Sequence, residues 1–184
     1  MHKVLIIFFI LNLYSPVFSS VKEKIVAQMK LTNNLSFNFI QTIDNKNENG
    51  KCIIKYPKKI WCKYDNSIKK IIVSNGKSLV IKTANKGSYY LYPLSKTPLN
   101  ILLDKNYLIS KIKTLEAREI DGKYLNFKIF ENNNEINVFF DIKSLNLIGW
   151  QTEDIYQNLV ITFISSVKIN QKINNKIFFL PKNN

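Results

Sequence analysis

Histidine is all but missing from this chain: its 184 residues hold one, His2. The rest of the chain therefore lacks the commonest general base and a frequent metal ligand. Arginine is as scarce, with Arg118 alone, so a net charge of +14 rests almost wholly on lysine. Proteins that read nucleic acid usually cluster arginine or carry a known module. These lysines are scattered among strands, and no nucleic-acid partner is expected. Anionic lipid headgroups or an acidic protein fit the charge better. The five glycines are dispersed at turns and form no phosphate-cradling loop. Ser67 and Lys70 have the Ser-x-x-Lys spacing of penicillin-recognising enzymes, but on a hairpin turn and without companion motifs. Glu153 and Asp154 are neighbours on a strand end, so they point to opposite faces and cannot act as a pair. The chain is expected to be no enzyme, with no cofactor and no metal site.

What is present begins with an export signal. Met1-His2-Lys3 is basic, Val4 to Leu13 is an apolar run, and Val17-Phe18-Ser19 places short residues where a signal peptidase reads. The run is too short for a comfortable membrane span, which needs about 20 residues. Residues 1–19 are expected to be a signal peptide. Removing them from 184 leaves 165, enough for one domain over 20–184 with a real core.

Two periodicities organise the remainder. From Val21 to Leu35, Val21, Ile25 and Met29 form one row, and Ala27, Leu31 and Leu35 a second, which predicts a helix with a broad apolar stripe ending at Asn33-Asn34. From Phe37 the period becomes two. Strands are predicted from Phe37 to Gln41, then over 51–56, 60–64, 69–73, 78–83 and 89–92, separated by a polar loop over 44–50, by Pro57-Lys58-Lys59 and by Asn75-Gly76. Short helices are expected at Leu99–Leu103, entered through Pro98, and at Tyr107–Lys111. Strands resume over 115–120, 123–131, 135–141, 147–152, 157–165 and 176–180. The fold class is mainly β: one long, curved antiparallel sheet with an N-terminal helix and an apolar helical insert.

Alternation also assigns a face. Lys51, Lys55 and Lys63 share one side of their strands, and Cys52, Ile54, Tyr56, Ile60, Cys62 and Tyr64 the other. The two helical segments are the available cover for that apolar side. Covered tightly it is a core; covered loosely it is a ligand cavity, and periodicity is compatible with both. Trp150 belongs half to core and half to cavity wall. Cys52 and Cys62 would face each other around a turn centred on Pro57, and export would expose them to oxidation. They read either as a disulfide or as two small inward thiols.

Several segments in series look familiar. Leu35-Ser-Phe-Asn-Phe39-Ile-Gln41, Tyr56-Pro57, Ile72-Val73-Ser74-Asn75-Gly76-Lys77 and Pro93-Leu94-Ser95-Lys96-Thr97-Pro98 come first. Leu102-Leu103-Asp104, Phe140-Asp141, Trp150 and Phe178-Phe179-Leu180-Pro181 follow. In this order they resemble the LolA family of outer-membrane lipoprotein carriers. The resemblance implies a half-open, incomplete β-barrel whose helical insert is a lid. It implies a monomer in the periplasm of a Gram-negative bacterium, taking acylated lipoproteins from an inner-membrane ABC transporter and, where one exists, passing them to an outer-membrane receptor. Acyl chains would lie against Phe39, Ile54, Tyr56, Ile60, Cys62, Tyr64 and Trp150, under a lid carrying Leu99, Ile101, Leu102 and Leu103. No cysteine adjoins the cleavage site, so the protein itself is not expected to be lipid-anchored. The family usually has arginine, holding the lid shut, where this chain has Tyr56, so Tyr56 is the expected latch. A lipid-binding sensor or regulatory module on the same scaffold is the alternative function.

Overall fold

The computed structural model describes residues 20–183, apart from 67, 84–86, 132–133 and 155–156. The expected signal peptide, and Ser67 of the Ser-x-x-Lys pair, lie outside the described residues.

The N-terminal helix α1 (Val21–Leu31) starts at a reciprocal cap, where the Ser20 hydroxyl accepts from the Glu23 amide at 3.2 Å. Its buried side is Ile25, Val26 and Met29. The second expected row fails: Ala27 is exposed, Leu31 is 69 % exposed, and Leu35 belongs to the next strand. The helix ends at Thr32, before that row completes.

Six strands follow as a meander: β1 (Asn34–Ile43), β2 (Lys46–Lys55), β3 (Lys59–Tyr64), β4 (Lys70–Asn75), β5 (Ser78–Thr83) and β6 (Tyr89–Pro93). The polar stretch after β1 is no loop. Asp44 and Asn45, both at positive φ, make a two-residue turn, and Lys46–Asn49 are strand. Their polarity reflects exposure at the end of the sheet, not absence of strand. A one-turn 3-10 segment (Leu94–Lys96), α2 (Leu99–Leu102) and α3 (Lys105–Thr114) then cross over. Asp104 caps α3 by accepting from the Tyr107 amide. The second meander is β7 (Arg118–Ile120), β8 (Tyr124–Glu131), β9 (Asn134–Asp141), β10 (Leu147–Glu153) and β11 (Leu159–Ile169).

Pairing of β1 with β11 joins the two meanders into one antiparallel sheet of 11 strands, in the order β6-β5-β4-β3-β2-β1-β11-β10-β9-β8-β7. The outermost strands β6 and β7 do not pair with each other, so the curved sheet stays an open half-barrel. Its concave face carries Phe37, Phe39, Ile54, Ile60, Phe127, Ile136, Val138 and Phe140 in one buried cluster with the helices. On α3, Leu108, Ile109 and Ile112 enter this cluster, each side chain contributing about 1.5–3 kcal/mol if fully buried.

The expected last strand, 176–180, is instead a 3-10 turn (Asn175–Phe178) on an arm that crosses the convex face at β3 and β4. Phe178 is buried while Phe179 is 70 % exposed. Val73 and Val80, on the outward side of β4 and β5, are also buried yet lie outside the main cluster. One aromatic ring of the arm is thus buried on the outside of the sheet, and Lys55 and Lys82 hold the arm there by donating to Asn175 and the Lys182 carbonyl.

Candidate functional site

The concave face is not filled everywhere. Between the β1–β6 half of the sheet and the start of the lid lies a cavity of about 560 Å³, within the roughly 300–1,000 Å³ range of small-molecule sites. The ladder of inward residues builds its wall. Phe39 pairs with Gly50, and Gly50 with Tyr64. Cys52 pairs with Cys62, Cys62 with Ile72, Ile72 with Ile81, and Ile81 with Tyr90. Leu79 and Tyr92, Trp150 and Val160 complete the apolar lining, and Thr97, Pro98 and Leu99 form the roof.

Of the residues expected to receive acyl chains, Phe39, Ile60, Cys62, Tyr64 and Trp150 line this cavity, and Leu99 lines it from the lid. Ile54 does not: it is fully buried in the packed core. Tyr56 lines a separate crevice of about 20 Å³ with Met29, Leu35, Leu108 and Leu147. Ile101, Leu102 and Leu103 are buried in the core cluster and hold the lid down without forming the cavity roof. The cause is position along the strands. Ile54 and Tyr56 stand at the end of β2 beneath α1 and α3, where cover is tight. Ile72, Leu79, Ile81, Tyr90, Tyr92 and Val160 were missed as lining residues. Following the inward face from Cys62 through each hairpin to β6 would have found most of them.

Cys52 and Cys62 are joined by a disulfide across adjacent strands, with Cα atoms 4.1 Å apart, and both line the cavity. Lys96, Asn134, Thr152, Glu153 and Asp154 also line the cavity, and a further polar patch is built on Tyr64. The Tyr64 hydroxyl donates to Gln41 Oε1 at 3.0 Å, and Gln41 Nε2 donates to Thr162 Oγ1 at 3.1 Å. Lys70 sits 3.9 Å from the centre of the Tyr64 ring and pairs with Glu48. Burial, and secondarily the Glu48 charge, push the Tyr64 phenol well above its ordinary value, so it stays a neutral donor.

Lys105 Nζ ties the lid to the end of α1 through the Thr32 carbonyl at 2.8 Å, and two further fastenings reach the sheet. The Lys58 amide, in the turn after Pro57, donates to the Leu103 carbonyl at 2.8 Å, and Lys58 Nζ pairs with Asp104 at 3.4 Å. At the opposite side, the Tyr107 hydroxyl bonds Glu131 on β8, and Lys111 pairs with Glu131 at 3.4 Å. Tyr56, the expected latch, spends its amide on the Asn33 carbonyl at 3.0 Å, and its ring lies 5.8 Å beneath Lys105 Nζ. Its neighbour but one, Lys58, makes the amide and ion-pair contacts to the lid, and Tyr56 meets α3 through its ring. No helix among the described residues is long and apolar enough to cross a membrane.

This arrangement, an open half-barrel with a roofed apolar cavity, meets a sequence match over residues 30–180 to the profile described as outer membrane lipoprotein carrier protein LolA. The chain belongs to the LolA family. Solved structures are similar in shape and remote in sequence. An uncharacterized conserved protein from Thermus thermophilus superposes with a TM-score of 0.52 at 6 % identity, covering 88 % of this chain and 93 % of that one. A LolA superfamily protein from Nitrosomonas europaea gives 0.47 at 8 % identity, over 88 % and 99 %. A DUF1329 family protein from Desulfovibrio piger gives 0.46 at 8 % identity, over 86 % and 94 %. At these identities the likeness concerns the fold alone. No curated protein sequence matches the chain. The LolA fold explains why the cavity sits where it does: the helical crossover between the two meanders has the concave face as its natural floor.

Proposed function

We propose that this LolA-family protein is a periplasmic carrier that shelters the acyl chains of lipoproteins in the cavity roofed by Thr97, Pro98 and Leu99, and moves them from the inner to the outer membrane. The observation that carries the reading is the cavity itself, about 560 Å³ with mostly aliphatic and aromatic walls, under a roof that is one 3-10 turn and one helical turn thick. Each methylene taken from water contributes about 0.8 kcal/mol, so about ten buried methylenes gain roughly 8 kcal/mol. Release needs the roof to lift, and a roof held by a few polar contacts can do so. In this reading residues 1–19 direct export and 20–184 are the mature monomeric domain. An inner-membrane ABC transporter supplies the cargo, and an outer-membrane receptor, where present, accepts it.

Uptake of a fluorescent diacyl lipopeptide by the chain from Ser20 onward tests the proposal. Ile81→Glu, which puts a carboxylate on the cavity wall, should cut uptake at least about tenfold, as burying an unpaired charge dictates. Lys82→Glu, facing outward on the same strand, should leave it unchanged. No uptake by the unaltered chain would overturn the reading. Native mass spectrometry of protein from its own compartment separates carrier from sensor. A bound acylated lipoprotein supports the carrier, whereas a free lipid with a regulatory protein supports the alternative.

A further inference from the structure

The convex face of the β2–β3 hairpin carries an unusual arrangement. Lys51 lies directly across from Lys63, and Lys55 directly across from Lys59, with Ile53 opposite Trp61 between them. The intervening residues Cys52, Ile54, Ile60 and Cys62 are buried on the concave side, so all six of these residues point outward. Like charges directly opposite destabilise a hairpin, and here there are two such pairs. The neighbouring outward positions are Ser36 and Asn38 on β1 and Ile71 and Val73 on β4, none of them acidic. The nearest carboxylate along the chain, Asp65, lies beyond the end of β3 and bonds the Asn49 side chain at 3.4 Å. Lys51, Lys59 and Lys63 make no ion pair among the described residues. The arm crossing this side projects Phe179, 70 % exposed, beside the buried Phe178.

We propose that this face docks the protein on an anionic lipid bilayer. Lys51 and Lys63 are exposed on a convex sheet, so their long stems reach outward to a plane, with half-buried Lys59 beside them and Lys55 donating to Asn175 of the arm. A fluid bilayer lets headgroups move to wherever those stems arrive, whereas an acidic protein would need carboxylates fixed in a matching array. Half-buried Trp61 between the lysine pairs is of the type that settles at headgroup level, and exposed Phe179 on the arm adds an apolar group. Lysines near an anionic membrane act additively and are screened by salt. The inference uses the face opposite the cavity and does not depend on what the cavity holds.

Co-sedimentation of the chain from Ser20 onward, which holds β1 to β11 and the buried core, with extruded vesicles provides the test. Vesicles of phosphatidylcholine with about one-third phosphatidylglycerol should capture it, and pure phosphatidylcholine should not, with capture lost in high salt. The double variant Lys51→Ser/Lys63→Ser should weaken capture by roughly tenfold or more. Lys113→Ser/Lys143→Ser, with the same change in net charge on other surfaces, should weaken it far less. Because Lys51 and Lys63 repel each other, their replacement should not lower the melting temperature, which keeps misfolding apart from lost docking. Ile81→Glu should bind vesicles normally, and Lys51→Ser/Lys63→Ser should still take up the acyl probe, so this proposal and the carrier reading fail separately. No capture by anionic vesicles, equal loss in the two double variants, or binding to polyglutamate with vesicles ignored would each overturn it.

Discussion

Phe39 and Tyr64 stand on strands that do not neighbour each other, yet their rings meet at 4.8 Å between centroids, edge to face, above Gly50. Gly50 is the residue paired with both. A Cβ there would come within 2.2 Å of the Lys63 carbonyl oxygen and 2.9 Å of the Tyr64 Cα. The cavity wall is continuous at this point because β2 contributes no side chain.

Gly50→Ala is therefore expected to cost about 1–3 kcal/mol as an overpacked site. That corresponds to a fall in melting temperature of roughly 2–12 °C for a domain of this size. Thermal denaturation followed by circular dichroism measures it, and an unchanged midpoint would show that the strands accommodate the methyl group freely.

Asp104 does two things that one substitution can separate. It caps α3 through the Tyr107 amide, and it pairs with Lys58 across the lid seam at 3.4 Å. Asp104→Asn keeps a capping side chain and discards the charge, while Asp104→Ala loses both. Both variants should load and release the acyl probe faster than the parent. Only Asp104→Ala should lose about 1 kcal/mol of global stability. Stopped-flow exchange beside chemical denaturation reads the two effects independently.

The fastening at Glu131 should respond to pH. The hydrogen bond from Tyr107, and then Lys111, hold the Glu131 carboxyl below the usual carboxylate range, against a smaller opposing effect of burial. A carboxylate with a lowered folded-state pKa adds stability above its ordinary value, about 4.3, and loses that contribution as pH falls through the lowered value. The lid should stay fastened at β8 near neutrality, and probe release should quicken below about pH 4. Glu131→Gln keeps an acceptor for Tyr107 without the titrating charge, so it should flatten this step. A step that persists in Glu131→Gln would assign it to another group.

The Cys52–Cys62 disulfide closes a short loop, with a sequence separation of 10. Loop entropy of that size is worth about 2–3 kcal/mol. Cys52→Ser/Cys62→Ser should lose stability of that order in urea titrations. Protein denatured without reductant should show no free thiol, and two reactive thiols there would refute the bond.

Much of the fold could be read from residue order because it depends on local physics. Asn75-Gly76 and Asp121-Gly122 permit turns that other residues resist. Ser20 with Glu23 starts a helix, and alternation through Cys52 to Tyr64 assigns an inward face whatever lies inside. The same alternation put Ile60, Cys62 and Tyr64 on the inward face, where they line the cavity. Apolar character misled where burial alone discriminates: Leu31 and Phe179 look like core residues and are exposed, while Phe178 is buried by a sheet face distant in the chain. The sequence by itself determined most strands, most turns and the inward face. Tertiary structure alone decided that β1 pairs with β11, and that Ile54 is packed while Ile60 borders a void. It also decided that Lys58 meets the lid through its amide and its ammonium, while the Tyr56 ring lies under Lys105 of α3. Each of those outcomes depends on where helices and strands distant in sequence come to rest, and alternation along one strand carries no information about what covers it.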